Sequence, residues 1–279
     1  MSEIKARSNV ERRQETFTEK VATNIWYEKA SGANPYIAKK CLLHGYDQME
    51  LMANKSYSET IFLLLRGNLP SQQELVLFDA TLVAVSNLGP RHAATRAVMS
   101  ASISKTDITH LLPIGLSVLG GAYLGAKEVF EAVGFVSKNM HKDPQQVLTA
   151  LLNTDNELDL AQRPMPGFGS RYGGVEIIPA QMAAQLQSLA AAGQALEWCT
   201  QLMKVAAPYH VSWFITGMAA AAWIDLGFTA KAAAGLFQIA ASPGLLAHGI
   251  EMSSQPITAM PFVAEDKYHY VESADEHDQ

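Results

Sequence analysis

Apolar residues recur every three or four positions along most of the chain, which is the spacing of one face of an α-helix. Leu75, Phe78, Leu82 and Val85 form one such stripe, which we expect to be buried. The alternation of apolar and polar residues that is typical of a half-buried strand is scarce, so we expect at most a short β-ribbon within residues 26–43. The pattern therefore predicts an all-α protein.

Residues that cap helices mark where two of these helices begin and end. Ser56 and Glu59 have the spacing of a capping box, the apolar run 61–65 follows them, and Gly67 is placed to end the helix. Ser71 is a second candidate N-cap, after Pro70. The sequence thus predicts two separate helices on either side of a turn.

Two other segments depart from an ordinary amphipathic helix. The most apolar run, residues 111–126, is shorter than a bilayer requires and contains Pro113, so we expect a helix that is buried on all sides. A cluster of proline and glycine at residues 163–169 interrupts the helical pattern. Such a cluster predicts a structured loop near the middle of the chain.

Composition limits the classes of function. The 279 residues carry a net charge of −6, which argues against a nucleic-acid partner. Cys41 and Cys199 are far apart and lack metal-ligand spacing, so we expect no metal site and a reducing compartment. Residues 1–20 lack the apolar stretch of a signal peptide, and no segment predicts a membrane anchor. We therefore expect a cytoplasmic protein.

Seven segments carry motifs of a known family, the clearest being SYSETIFLLLRGNLP at 56–70 and PGFG at 166–169. The full set comprises residues 44–51, 56–70, 89–96, 119–132, 164–174, 209–228 and 243–251. In this order they resemble the citrate synthase superfamily, and in particular its short members, the citryl-CoA lyases. The resemblance covers most of the chain between residues 41 and 252.

The resemblance implies a citrate synthase-like fold with two helical domains. The large domain would comprise residues 1–125 and 223–279, and a smaller domain, residues 126–222, would be inserted into it. The resemblance also implies a homodimer. Pro166, Gly167, Phe168 and Gly169 match the family's coenzyme A loop, so a coenzyme A thioester is a possible substrate, with no permanently bound cofactor.

The residues that perform the family's chemistry are replaced at the matched positions. Citrate synthases need a carboxylate to deprotonate the thioester α-carbon and imidazoles to polarise the enolate and the ketone. The imidazole positions fall on Leu88, Leu124 and Ser170, and the base falls on Ser212. The resemblance therefore predicts that this chain is not a standard citrate synthase.

Other polar side chains lie near these positions in the sequence. We predict catalytic roles for a set that surrounds the loop and the former base: Ser170, Arg171, Tyr172, His210 and Ser212. The matched positions predict a substrate-binding set: His44, Leu88, Leu124 and Glu128. Structural alternatives stay open, namely helix packing for His210, a solvated face for Glu128, an ion pair for Arg171 and mere packing for the loop.

Two functions of different classes follow. The first is a divergent enzyme that makes or breaks a carbon–carbon bond on an acyl-CoA or related acid. The second is a non-catalytic relative, a pseudoenzyme that acts as a ligand-binding or partner subunit. The two are distinguished by whether the five candidate catalytic residues meet in one cleft, because a cleft walled only by leucine and alanine would exclude the enzyme.

Overall fold

Helices dominate the computed structural model, which describes residues 19–154, 165–261 and 263–271. These residues form eleven α-helices and five short strands. The all-α prediction is therefore confirmed. The chain divides into two compact units, residues 1–68 and 69–279. The domain boundaries that the resemblance implies, near residues 125 and 222, stay a prediction.

The first unit combines a small antiparallel sheet with two helices. Its elements are β1 (Trp26–Ala30), β2 (Ala38–Leu43), β3 (Tyr46–Asp47), α1 (Gln48–Asn54) and α2 (Tyr57–Arg66). Strands β1 and β2 are antiparallel, and their register places Trp26 opposite Leu43. The predicted ribbon within residues 26–43 is thus confirmed.

The ends of α2 are those that the sequence predicts. The Ser56 hydroxyl accepts a hydrogen bond from the Glu59 amide (3.2 Å), and the Glu59 carboxylate accepts one from the Ser56 amide (2.8 Å). Gly67 ends the helix in the left-handed conformation, with φ 81°. Ser71 forms the same reciprocal cap with Glu74 at the start of the next helix.

The second unit contains the remaining helices and a two-stranded ribbon. The helices are α3 (Gln72–Val85), α4 (Ala93–Ile103), α5 (Ile108–Leu119), α6 (Ala126–Asn139), α7 (Pro144–Thr154), α8 (Ile177–Gln187), α9 (Gln194–Ala206), α10 (Ile215–Asp225) and α11 (Ala230–Ser253). The ribbon pairs β4 (Phe168–Gly169) with β5 (Ser212–Trp213) in antiparallel fashion.

Helices α10 and α11 form the centre of this unit. Helix α11 packs against α4, α5 and α6, and α10 packs against α6 and α9. The alanines at 219–222 are fully buried, because their small side chains let neighbouring helices approach closely. Trp213 and Trp223 are also buried, as expected of core residues. The candidate site lies against these packed helices.

The buried face of α3 is rotated relative to the predicted stripe. Phe78 and Val85 are buried as predicted, but Leu75 and Leu82 are only partly buried. Leu77 and Thr81 are fully buried instead. Helix α3 packs against α8, α10 and α11, so it contacts the core over a face broader than a single stripe.

The expectation of one all-round buried helix over residues 111–126 is wrong. Helix α5 ends at Leu119, and a loop separates it from α6. Ile108 and Val118 of α5 are 46% and 42% exposed. The helix packs on α4 and α11 along one side and buries only Leu111, Gly115 and Leu119, which repeat every fourth residue.

Among the described helices, α11 alone has the length and apolar composition needed to cross a membrane. Its packing against α4, α5 and α6 and its internal Pro243 also suit the central helix of a helical core. Such helices meet the same criteria of length and composition.

Candidate active site

The glycine-rich loop at residues 166–169 lies directly on the start of α10. The Phe214 amide donates a hydrogen bond to the Gly167 carbonyl (2.9 Å), and Gly167 has a left-handed backbone with φ 84°. The backbones of Gly167 and Gly217 touch, and a Cβ on Gly169 would lie 2.8 Å from the Phe214 ring. Packing alone therefore requires these glycines, and their role in binding coenzyme A stays a prediction.

A buried carboxylate joins three segments behind this loop. Glu128, in the first turn of α6, accepts hydrogen bonds from the Leu124 amide (2.9 Å) and the Thr216 hydroxyl (2.8 Å). Its other oxygen accepts a longer bond from the Gly167 amide (3.4 Å). Burial raises the pKa of this carboxyl above its ordinary value. The alternative of a solvated face is wrong for Glu128, because the residue is buried and only 8% exposed.

A cavity of 330 Å³ opens at the ends of several helices of this unit, and we call it the site cavity. Eight of its twelve lining residues are apolar. The lining residues are Ala84, Asn87, Leu88, His92, Leu124, Arg171, Glu176, Ile177, Ile178, Pro179, Met182 and Ile215. Leu88 and Leu124, two predicted substrate-binding positions, therefore lie in one cavity with Arg171, and Glu128 lies outside its lining.

His92 is a cavity residue to which the sequence assigns no role. Its Nδ1 accepts a hydrogen bond from the Ala94 amide (3.2 Å) and caps α4, so Nε2 carries the proton and donates to the Leu124 carbonyl (3.0 Å). Burial lowers the pKa of this imidazole, and the nearby Arg171 charge lowers it further. His92 is therefore neutral and has no free lone pair. The signal in the sequence that could have identified this role is the position of His92 just before α4.

Replacing His92 by asparagine tests this assignment. Asparagine can still cap α4 but cannot reach Leu124, so we expect a loss of about 1 kcal/mol in the free energy of unfolding above pH 7. The folded-state pKa of His92 lies below its ordinary 6.5. The stability that neutral His92 contributes is thus present above pH 6.5 and lost as the pH falls through the folded-state pKa.

The measurement is urea unfolding of both proteins between pH 8 and pH 5. The difference between wild type and His92→Asn should shrink as the pH falls below 6.5. A difference that stays constant over this range would contradict a buried, neutral His92.

Arg171 forms the polar end of the site cavity. Its Nη1 donates to the Glu176 carboxylate (2.8 Å), and the guanidinium lies over the Tyr172 ring, 5.1 Å from the centroid. The ion-pair alternative for Arg171 is thus confirmed. Its Nε is also buried, and it has no hydrogen-bond partner among the described residues.

The other predicted catalytic residues do not line the site cavity. Ser170 donates to the Gly174 carbonyl (3.1 Å), and Ser212 pairs with Gly169 across the β4–β5 ribbon, so the two serines lie on neighbouring strand ends. The Tyr172 side chain is 90% exposed. His210 is exposed and has a left-handed backbone, with φ 56°, after a 3₁₀ turn. Of the five, Arg171 alone lines the cavity.

Two further histidines have structural surroundings. His248 shares a hydrogen bond with the Asn87 side chain (3.2 Å). His44 lies in the first unit and has a left-handed backbone, with φ 47°. Its Nε2 is buried without a hydrogen-bond partner among the described residues, and its predicted substrate contact stays a prediction.

The charges of the site cavity allow only limited chemistry. Its one described carboxylate, Glu176, is paired with its one described guanidinium. Across residues 19–154, 165–261 and 263–271, no group of three or more metal-ligating side chains occurs. A cavity with this lining suits an apolar ligand better than a dicarboxylate, because each buried carboxylate needs a cation or several donors.

Comparison with known proteins identifies the fold. No protein-family model matches the sequence. Over 84 residues, 30% of the chain, it is 32% identical to the citrate/2-methylcitrate synthase of Bacillus subtilis. That match spans only 22% of the length of this relative.

Solved structures match far more of the chain. The citryl-CoA lyase from Hydrogenobacter thermophilus superposes with a TM-score of 0.73 over 91% of this chain and 95% of that one, at 21% identity. The chain has the citrate synthase fold. The citrate synthase from Thermoplasma acidophilum, solved with carboxymethyl coenzyme A and oxaloacetate, matches with a TM-score of 0.57 over 78% of this chain and 59% of that one, at 20% identity. The fold that the motifs imply is therefore confirmed.

Proposed function

We propose that this protein makes or breaks a carbon–carbon bond on a coenzyme A thioester, with a second substrate other than a dicarboxylate. The observation that carries the proposal is the site cavity, which lies in a citrate synthase fold and is walled mainly by apolar side chains with Arg171 at its polar end. Two structurally similar proteins are a citryl-CoA lyase and a citrate synthase bound to a coenzyme A derivative, which supports the thioester half of the proposal.

The reaction in the synthetic direction needs three events. A base takes a proton from the thioester α-carbon, the resulting enolate carbon attacks a carbonyl carbon of the second substrate, and the carbonyl π electrons become an alkoxide that is then protonated. Glu176 is the candidate base, because it is the one carboxylate among the described lining residues. Arg171, which is paired with Glu176, would bind the second substrate beside this base. In the lyase direction the same steps run in reverse.

Calorimetric titration with coenzyme A and with acetyl-CoA tests the thioester half. We expect micromolar binding of both, with oxaloacetate as a control that does not bind. In Gly169→Ala the new Cβ would lie 2.8 Å from the Phe214 ring and displace the loop. We expect this variant to bind coenzyme A at least about tenfold more weakly, a loss of about 1.4 kcal/mol.

The matched control is Gly235→Ala in α11, where an added Cβ meets nothing within 4 Å. This variant should bind coenzyme A as the wild type does. Absence of coenzyme A binding by the wild-type protein would contradict the proposed function.

A second candidate is a non-catalytic ligand-binding or partner subunit. Two observations favour it. Of the five predicted catalytic residues, Arg171 alone lines the site cavity. The polar groups of His92 and Glu176 already have protein partners. Tight coenzyme A binding without turnover of any ketone or acid tested would favour this candidate. A cytoplasmic homodimer is part of both proposals, and analytical ultracentrifugation measures its assembly.

A further inference from the structure

We infer that the site cavity binds a small molecule with one carboxylate and an apolar body. This inference rests on the proposed function for the role of that molecule as the second substrate, and it names its chemical class. It concerns binding by the described residues alone, so it can be tested without coenzyme A.

The walls of the cavity define the apolar body. Leu88, Leu124 and Ile215 come from three different segments, and Ile178 and Met182 lie one turn apart on α8. The volume of 330 Å³ is at the small end of ligand cavities, which measure roughly 300–1,000 Å³. A branched or linear chain of a few carbons fits this size and this lining.

The polar end of the cavity defines the single carboxylate. Arg171 has five N–H donors, and its hydrogen bond to Glu176 uses one of them, on Nη1. The guanidinium lines the cavity, and its side chain is 17% exposed there. A ligand carboxylate that reaches this exposed part would form a charge-assisted hydrogen bond with it.

A second carboxylate on the ligand would have no comparable hydrogen-bonding partner in the cavity. Arg171 is the one cationic side chain among the described residues of the lining, because the Ala94 amide donates to Nδ1 of His92 and keeps that nitrogen unprotonated. Glu176 and the first ligand carboxylate already share Arg171, so a second carboxylate would have no cation among the described lining residues. A dicarboxylate such as oxaloacetate would therefore bury one unpaired charge.

The first experiment compares ligands on the wild-type protein by calorimetry. The probes are 4-methyl-2-oxopentanoate, 4-methylpentanoate and oxaloacetate, followed by linear acids from acetate to hexanoate. We expect both branched acids to bind at least about tenfold more tightly than oxaloacetate, and affinity to rise with chain length until the cavity is full. Equal binding of oxaloacetate, or affinity independent of chain length, would overturn the inference.

The second experiment removes Arg171, the cation that is expected to bind the ligand carboxylate. Arg171→Gln should weaken 4-methylpentanoate binding at least about tenfold. Arg96→Gln removes the same charge from an exposed position on α4 outside the lining, and it should leave the affinity unchanged. Unchanged affinity in a folded Arg171→Gln protein would overturn the inference. If that variant does not fold, the wild-type chain-length series decides.

The two proposals fail separately. Binding of the branched acids without any binding of coenzyme A supports this inference and contradicts the proposed function. Binding of coenzyme A together with a preference for oxaloacetate supports the thioester chemistry and contradicts the inferred ligand class.

Discussion

Replacing Gly217 by alanine is expected to lower the free energy of unfolding by about 3 kcal/mol and to abolish coenzyme A binding. The new Cβ would lie 3.0 Å from the Gly167 Cα and closer still to the Gly167 carbonyl oxygen. Both atoms belong to the backbone, so neither can rotate away. The loop must therefore move off α10. Urea unfolding and calorimetry with coenzyme A measure the two effects.

The control for this change is the same substitution at Gly235 on α11. An added Cβ there meets nothing within 4 Å, so helix propensity alone should stabilise the protein by about 0.5–1 kcal/mol. Opposite signs for the two alanine variants would confirm the close contact between loop and helix. A neutral effect at Gly217 would show that the contact is loose.

Replacing Glu128 by alanine is expected to cost about 3 kcal/mol of stability. The change leaves the Leu124 amide, the Thr216 hydroxyl and the Gly167 amide without their acceptor. These groups belong to three segments around the site cavity and its loop, so ligand binding should also weaken. Chemical denaturation together with calorimetry measures both effects.

Glu128→Gln is the conservative companion variant. Its amide oxygen can still accept the bonds from Leu124 and Thr216, while its NH₂ group faces the Gly167 amide, whose bond is the longest of the three at 3.4 Å. We expect a loss of about 1 kcal/mol. If alanine proves no more costly than glutamine, the carboxylate does not join the three segments as described.

The elements that the sequence predicts correctly depend on neighbours in the chain. The caps of α2 and α3 need only a serine, a glutamate three residues later and, for α2, Gly67 at the end. The ribbon of β1 and β2 is equally local. These signals act within one turn or one hairpin, so tertiary packing does not have to be known.

The features that the sequence does not predict depend on distant partners. Glu128 and Thr216 are 88 residues apart, and His92 lies 32 residues from Leu124. Neither spacing is visible as a motif. The apolar stripe misplaces the buried face of α3 for a related reason, because three neighbouring helices determine which of its residues are covered. The family motifs predict the fold, but they cannot show that Arg171 pairs with Glu176.

The backbone and the side chain of Leu124 have opposite effects on the stability of the protein. The Leu124 backbone is left-handed, with φ 53°, a conformation that is unfavourable for leucine, while its side chain is buried in the cavity wall. Glycine adopts this backbone readily and has no side chain. In a glycine variant, relief of backbone strain would therefore offset part of the stability that burial of the leucine side chain provides. Position 124 is where enlargement of the site cavity should begin.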